Sequence, residues 1–112
     1  MKRKYQTAFI LPVGANKLLG EDGWEFKSSA PLSHDIKENL VQSLRLEFFE
    51  SYLGIESYIS DNMKMSVFFD GKCKVESITF QLYGDALSKL STVCQSDRIS
   101  SDAELFIPQQ DR

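Results

Sequence analysis

Apolar residues occupy both sides of a two-residue repeat near the start of the chain. Tyr5, Thr7, Phe9 and Leu11 fall on one side, and Ala8 and Ile10 make the other side apolar too. A strand that is apolar on both faces belongs in the centre of a sheet. Pro12, Val13 and Gly14 end it, and residues 13–23, rich in glycine and polar side chains, read as a loop closed by Glu21, Asp22 and Gly23. Residues 24–27 alternate again, which predicts a short strand pairing back on the first. Pro31, Leu32 and Ser33 then read as a helix entry, with Ser33 as N-cap and Asp35 and Glu38 near the positive end of the helix dipole. Ile36, Leu40, Val41, Leu44, Phe48 and Tyr52 recur mostly three or four apart. That spacing predicts one long helix, running to a C-terminal cap at Gly54.

Further on, Met63, Met65, Val67 and Phe69 alternate with mostly polar neighbours, and Ile78, Phe80 and Leu82 answer them across Asp70 and Gly71. An Asp-Gly pair between alternating runs is a strong hairpin signal. A two-residue loop there pairs Phe69 with Lys72 and, by continuation, Met63 with Ile78, which places the two apolar sets on one face. Gly84 and Asp85 open a shorter helix with Leu87, Leu90, Val93 and Cys94 as its apolar positions, and residues 103–107 read as a last strand stopped by Pro108. The order is β, short β, α, β, β, α, β. In 112 residues it predicts one α+β domain spanning residues 1–112. The expected architecture is a ferredoxin-like split βαβ sandwich, an antiparallel sheet with two helices on one face and an extra short N-terminal strand.

Composition changes this picture little. Eight Phe, four Tyr and one Trp supply core material for a folded chain. Cys73 and Cys94 are too few for a disulfide framework and read as free thiols in a reducing compartment. No apolar run approaches the length of a membrane span, and the expected location is the cytoplasm. A net charge of −3 argues against direct nucleic-acid binding, whose usual footprint is basic. The charge distribution is more informative. Residues 46–63 carry Glu47, Glu50, Glu56 and Asp61 and no Lys or Arg.

Catalytic chemistry finds no foothold. His34 is the one histidine, at a position expected in the first turn of a helix, and no paired-cysteine or H-E-x-x-H spacing accompanies it. Gly14, Gly20 and Gly23 share a loop but lack the spacing of a phosphate cradle. Asp70 and Asp85 sit beside glycines, where aspartate favours turns and caps. Cys73, flanked by Lys72 and Lys74, is either a reactive thiol or an idle one. No catalytic, cofactor-binding or metal-binding residue is assigned, and the expectation is a protein that is not an enzyme and carries no cofactor.

The acidic segment reads either as a solvated surface or as an interface. Phe48, Phe49, Tyr52 and Tyr58 interleave with its carboxylates, and acidic groups around aromatic anchors suit a basic protein partner. On the second reading Glu47, Glu50, Tyr52, Glu56, Tyr58 and Asp61 are the contact residues.

Three stretches carry a resemblance. Residues 8–12 with 22–26, residues 75–85, which read Val-Glu-Ser-Ile-Thr-Phe-Gln-Leu-Tyr-Gly-Asp, and residues 105–109 resemble small proteins of bacterial toxin–immunity loci, the immunity proteins of contact-dependent growth inhibition and related polymorphic toxin systems. The resemblance covers about a third of the chain and assigns no individual residue. It implies a cytoplasmic inhibitor that neutralises a cognate toxin, often a nuclease, by occluding its active site. The alternative, by analogy of fold alone, is a small ligand-sensing or regulatory dimeric domain.

Overall fold

The computed structural model describes residues 5–21, 23–27, 31–32, 35–96 and 103–108. Among them the chain forms β1 (Gln6–Pro12), β2 (Asn16–Gly20), β3 (Gly23–Lys27), α1 (Ile36–Leu44), β4 (Glu47–Tyr52), β5 (Ile55–Ile59), β6 (Met63–Phe69), β7 (Val75–Leu82), α2 (Ala86–Ser96) and β8 (Ala103–Phe106). Six strands make one sheet in the order β4-β5-β6-β7-β1-β8, and β2 and β3 form a separate hairpin. Every pairing is antiparallel. The fold is therefore α+β, as the element pattern predicts, with more strands than expected.

The sheet has two dissimilar faces. Ala8 and Ile10 of β1 pair with Phe80 and Ile78 of β7, and these pack with Met63, Met65 and Val67 of β6. Ile36 and Leu40 of α1 and Ala86 and Leu90 of α2 join the same buried cluster, so both helices cover one face. On the other face Phe9 and Leu11 meet Trp24 and Phe26 of β3 and Phe106 of β8. Trp24 stands edge-on to Phe106 with ring centres 5.0 Å apart, and Phe26 lies 4.8 Å from Phe9. Lys17 of β2 closes this corner, forming an ion pair with Glu104 of β8 while lying over the Phe106 ring. The first strand is thus buried on both faces, as its double alternation predicts, between β7 and β8.

Four expectations are corrected. Residues 16–20, read as loop, form β2, and β3 pairs with β2 rather than with β1; aromatic packing, not backbone pairing, ties the hairpin to β1. The long helix stops at Leu44. Arg45 turns left-handed at φ 55° and ψ 50°, its N–H donates to the Gln42 carbonyl, and the Leu46 N–H donates to that of Val41. These are the two bonds of a Schellman stop, sealed by burial of Leu46. A non-glycine residue at the left-handed position hides this stop from a sequence reading.

Residues 47–52, expected to continue the helix toward a cap at Gly54, instead pair with residues 55–59 as the β4–β5 hairpin. Leu53 (φ 51°) and Gly54 (φ 78°) are both left-handed, the requirement of a two-residue type I′ turn, and Tyr52 pairs with Ile55 across it. Gly54 is a turn residue and not a helix cap. Last, the β6–β7 hairpin pairs Met63 with Leu82 and Phe69 with Val75 instead of using a two-residue loop. The Asp70 carboxylate accepts N–H bonds from Lys72 (2.8 Å) and Lys74 (3.0 Å), which opens the loop, and Cys73 takes the left-handed position at φ 62°. The register moves Met63 from Ile78 to Leu82, four residues. From Met63 to Phe68 the shift is even and leaves each side chain on its expected face; the irregularity between Phe68 and Phe69 brings Val75 into the helix-covered core as well.

Ser33 and His34, and with them the expected N-cap, lie outside the described residues; α1 starts at Ile36 with Asp35 preceding it and no side-chain cap bond. Phe80 is fully buried at the centre of the helix-covered face. Phe80→Ala is expected to lower unfolding free energy by about 3–5 kcal/mol, measured by urea denaturation. A loss below ~1 kcal/mol would contradict this core.

Candidate protein-interaction site

The acidic segment becomes an edge. β4 closes one side of the six-stranded sheet, pairing with β5 and, among the described residues, leaving its outer side unpaired, and all six of its residues are exposed. Phe48, Phe49 and Tyr52 lie on it, Tyr52 at 69% exposure, and Leu53 at the hairpin tip reaches 81%. Aromatic and β-branched residues favour a strand here, and the glycine two places after Tyr52 allows the tight turn. That combination is the sequence signal that a helical reading of Phe48 and Tyr52 overrides.

The pairing distributes the six expected contact residues over three surroundings. Glu47, Glu50 and Tyr52 stand opposite Ile59, Ser57 and Ile55 of β5. Ser57 lies opposite Ser66 of β6, Ser66 opposite Thr79 of β7, and Thr79 opposite Phe9, so these residues share the face away from the helices. Glu47 and Glu50 are three apart in sequence yet share that face because the register shifts between Phe48 and Glu50, the effect of a one-residue bulge. Glu47 also lines, with Asp61, Arg45 and Lys89, an open cleft of about 970 Å³ between the helix ends and the β5–β6 turn. Asp61 is exposed in that turn.

Glu56 and Tyr58 face the other way, opposite Val67 and Met65, and meet α1. The Glu56 Oε1 atom accepts a bond from the Tyr58 hydroxyl at 2.8 Å and pairs with Lys37 Nζ at 3.1 Å. Lys37 also lies over the rings of Tyr58 and Phe69. Phe48 packs edge-on against Tyr58, ring centres 5.5 Å apart. This cluster fastens the hairpin to the helix. Burial pulls Lys37 toward its neutral form, yet the bond to Glu56 and the charges of Tyr58 and Glu56 outweigh it and hold Lys37 above its ordinary 10.5. Burial, then the bond to Glu56, raises Tyr58 above 10.0. Glu56 and Tyr58 are therefore engaged within the molecule, whereas Glu50 and Tyr52 are exposed and join no such cluster among the described residues. Phe49 and Leu53, which the sequence reading did not select, join them on the exposed edge.

The remaining chemical candidates scatter. Cys73 is an exposed thiol and Cys94 a half-buried one, the latter pushed up to about 11 by burial. Asp70 is held below its ordinary value by the N–H bonds from Lys74 and Lys72. Among the described residues, no group of three or more histidine, cysteine, aspartate or glutamate side chains is placed to hold a metal ion, and no helix is long and apolar enough to cross a membrane. No protein-family model, curated protein or solved structure matches the chain.

The Lys37–Glu56–Tyr58 cluster carries a pH signature. Both raised groups hold their protons more tightly in the folded state, so the stability they contribute is present below pH ~10 and is lost as pH rises through their folded values. Urea melts from pH 8 to 12 should show this decline, and Tyr58→Phe should flatten it. Equal slopes for the two proteins would mean that Tyr58 is not part of the linkage.

Proposed function

We propose that this chain is an immunity-type inhibitor that binds a basic toxin protein, a nuclease by the resemblance, and blocks its active site through the β4–β5 hairpin. One observation carries the reading: an exposed edge strand bearing three aromatic residues and two carboxylates, Glu47 and Glu50. Exposed edge strands are ordinarily shortened, covered, charged or bulged; this one has a bulge and two carboxylates, yet it is six residues long, carries no lysine and is covered by no other strand among the described residues. A partner that buries it removes the liability. Leu53 supports the same reading. A leucine held left-handed costs about 1–2 kcal/mol, and an exposed leucine at a strained turn gains nothing back until something covers it. Electrostatic attraction between the carboxylates and a basic cleft would speed encounter, and Phe49, Tyr52 and Leu53 would supply the buried anchors.

The proposal includes the fold. β1 and β6 flank β7, and β7 and β8 flank β1, with α1 between β1 and β6 in the chain and α2 between β7 and β8. This supports a ferredoxin-like split βαβ core in which β2–β3 and β4–β5 are insertions. The sandwich would serve as the scaffold, and the second insertion as the working part.

A ligand-sensing dimer is the second reading. An open cleft of about 880 Å³ beside Trp24, Phe26 and Phe68 favours it. A dimer in solution whose Tm rises with a small ligand would select it.

The test is to recover the tagged chain with its bound partner from its native cells through a high-salt wash, then assay the partner's activity with and without it. The inhibitor reading expects an equimolar toxin whose activity is suppressed. Glu47→Lys with Glu50→Lys should weaken the complex at least about tenfold, mostly through slower association, while the urea midpoint stays near that of the parent chain; affinity within twofold would sink the assignment of this surface. Leu53→Asn, which suits a left-handed turn, should stabilise the free chain by about 0.5–1 kcal/mol and still weaken the complex. A stabilised variant that binds as tightly as the parent removes Leu53 from the interface.

A further inference from the structure

Resting on this reading of the surface, we infer that the partner adds a strand to β4, extending the six-stranded sheet to seven, and that the added strand carries two cationic residues two positions apart. The first ground is the backbone. β4 uses one side of its peptide groups to pair with β5, and its other side borders no strand of either sheet. Among the described residues the backbone groups on that side are open to a seventh strand, which would gain main-chain hydrogen bonds whatever its sequence.

The second ground is charge, and it decides which strand. A second copy of this chain is the simplest candidate, because an edge can pair with itself. Self-pairing centred between Phe48 and Phe49 sets Glu47 directly against Glu50 of the other copy, twice. Other antiparallel registers still crowd four carboxylates into a ribbon six residues long. Like charges opposed across a pair of strands destabilise it, and residues 46–63 contain no Lys or Arg to offset them. The occupant that fits is basic.

The third ground is register. The bulge brings Glu47 and Glu50 to one face, where they stand opposite Ile59 and Ser57, residues two apart on the regular strand β5. Tyr52, on the same face, stands opposite Ile55. A regular strand added antiparallel on the outer side repeats that spacing. Read from its N-terminus it offers an apolar residue to Tyr52, then a cation to Glu50, then a cation to Glu47, each separated by one residue that faces the other way. The bulge also twists the edge locally, which disfavours long flat strands and keeps the site from accepting any extended chain.

The probe is a capped eight-residue peptide with valine, lysine and lysine at alternate positions and threonine between them. Its controls are the same peptide N-methylated at alternate amides, which blocks strand pairing, and one with glutamate in place of lysine. Amide resonances of the ¹⁵N-labelled protein are followed on titration to millimolar peptide, with hydrogen exchange of the β4 amides. Strand addition expects the lysine peptide to slow exchange of alternate β4 amides at least tenfold. It expects N-methylation to weaken binding at least tenfold, and the glutamate peptide not to bind. N-methylated and parent peptides that bind alike, β4 amides left unprotected, or β4 amides already protected in a self-associated dimer would each overturn the inference. The broader reading fails separately. If Glu47→Lys with Glu50→Lys abolishes binding of the N-methylated and parent peptides equally, the acidic surface stands and strand addition falls. If the double variant changes binding of neither, the acidic surface itself is wrong.

Discussion

Everything in this fold hangs from the two-sided burial of β1. Ala8 and Ile10 anchor the helix-covered core, while Phe9 and Leu11 anchor the aromatic cluster beneath the β2–β3 hairpin. One strand therefore supplies buried residues to both hydrophobic clusters, with the neighbouring β8 placing Leu105 against one and Phe106 against the other. Its position between β7 and β8 follows from the same fact, since a strand with no polar side must be flanked and covered. From β7 the sheet then grows outward through β6 and β5, losing helix cover as it goes, until β4 has none of its residues buried. The gradient from a doubly buried spine to a bare edge is what makes one end of the molecule a scaffold and the other end a surface.

That gradient was partly readable in the residues. Strands β1, β6 and β7 were legible because period-two alternation is unambiguous when one or both faces are apolar, and α2 because Leu87, Leu90, Val93 and Cys94 keep helical spacing. From Met63 to Phe68 the β6–β7 register lies four residues from the expected one and the faces still agree, because the side-chain period is two; the burial of Val75 depends on the bulge at Phe69, which alternation does not show. The expected helix outruns α1 for a different reason. Leu44, Phe48 and Tyr52 lie four apart and mimic a helical stripe, while the true stop uses arginine in a conformation that normally announces itself with glycine. β2 reads as loop because nothing in it is buried except partly at Gly20, so no apolar alternation marks it.

The acidic, aromatic character of residues 46–63 was visible from composition alone, but its geometry was not. Sequence placed Glu56 and Tyr58 among the outward residues, and only the pairing of β5 with β6 turns them toward α1. Conversely Leu53 carries no charge and no aromatic ring, and its exposure and backbone strain exist only once the hairpin forms. Side-chain type suggested what kind of partner would suit; strand register decided which side chains could reach it.

The Lys37–Glu56–Tyr58 cluster has a consequence for kinetics. A two-stranded extension at the rim of a sheet would ordinarily sway, and a partner would have to immobilise it on arrival. Here an ion pair, a hydroxyl bond and a stacked lysine lock the inner face of β5 onto α1, so most of that ordering is completed during folding. On the proposed reading, a hairpin already held in shape would spend little free energy on induced fit, and the saving would be expressed as a longer residence time of the complex.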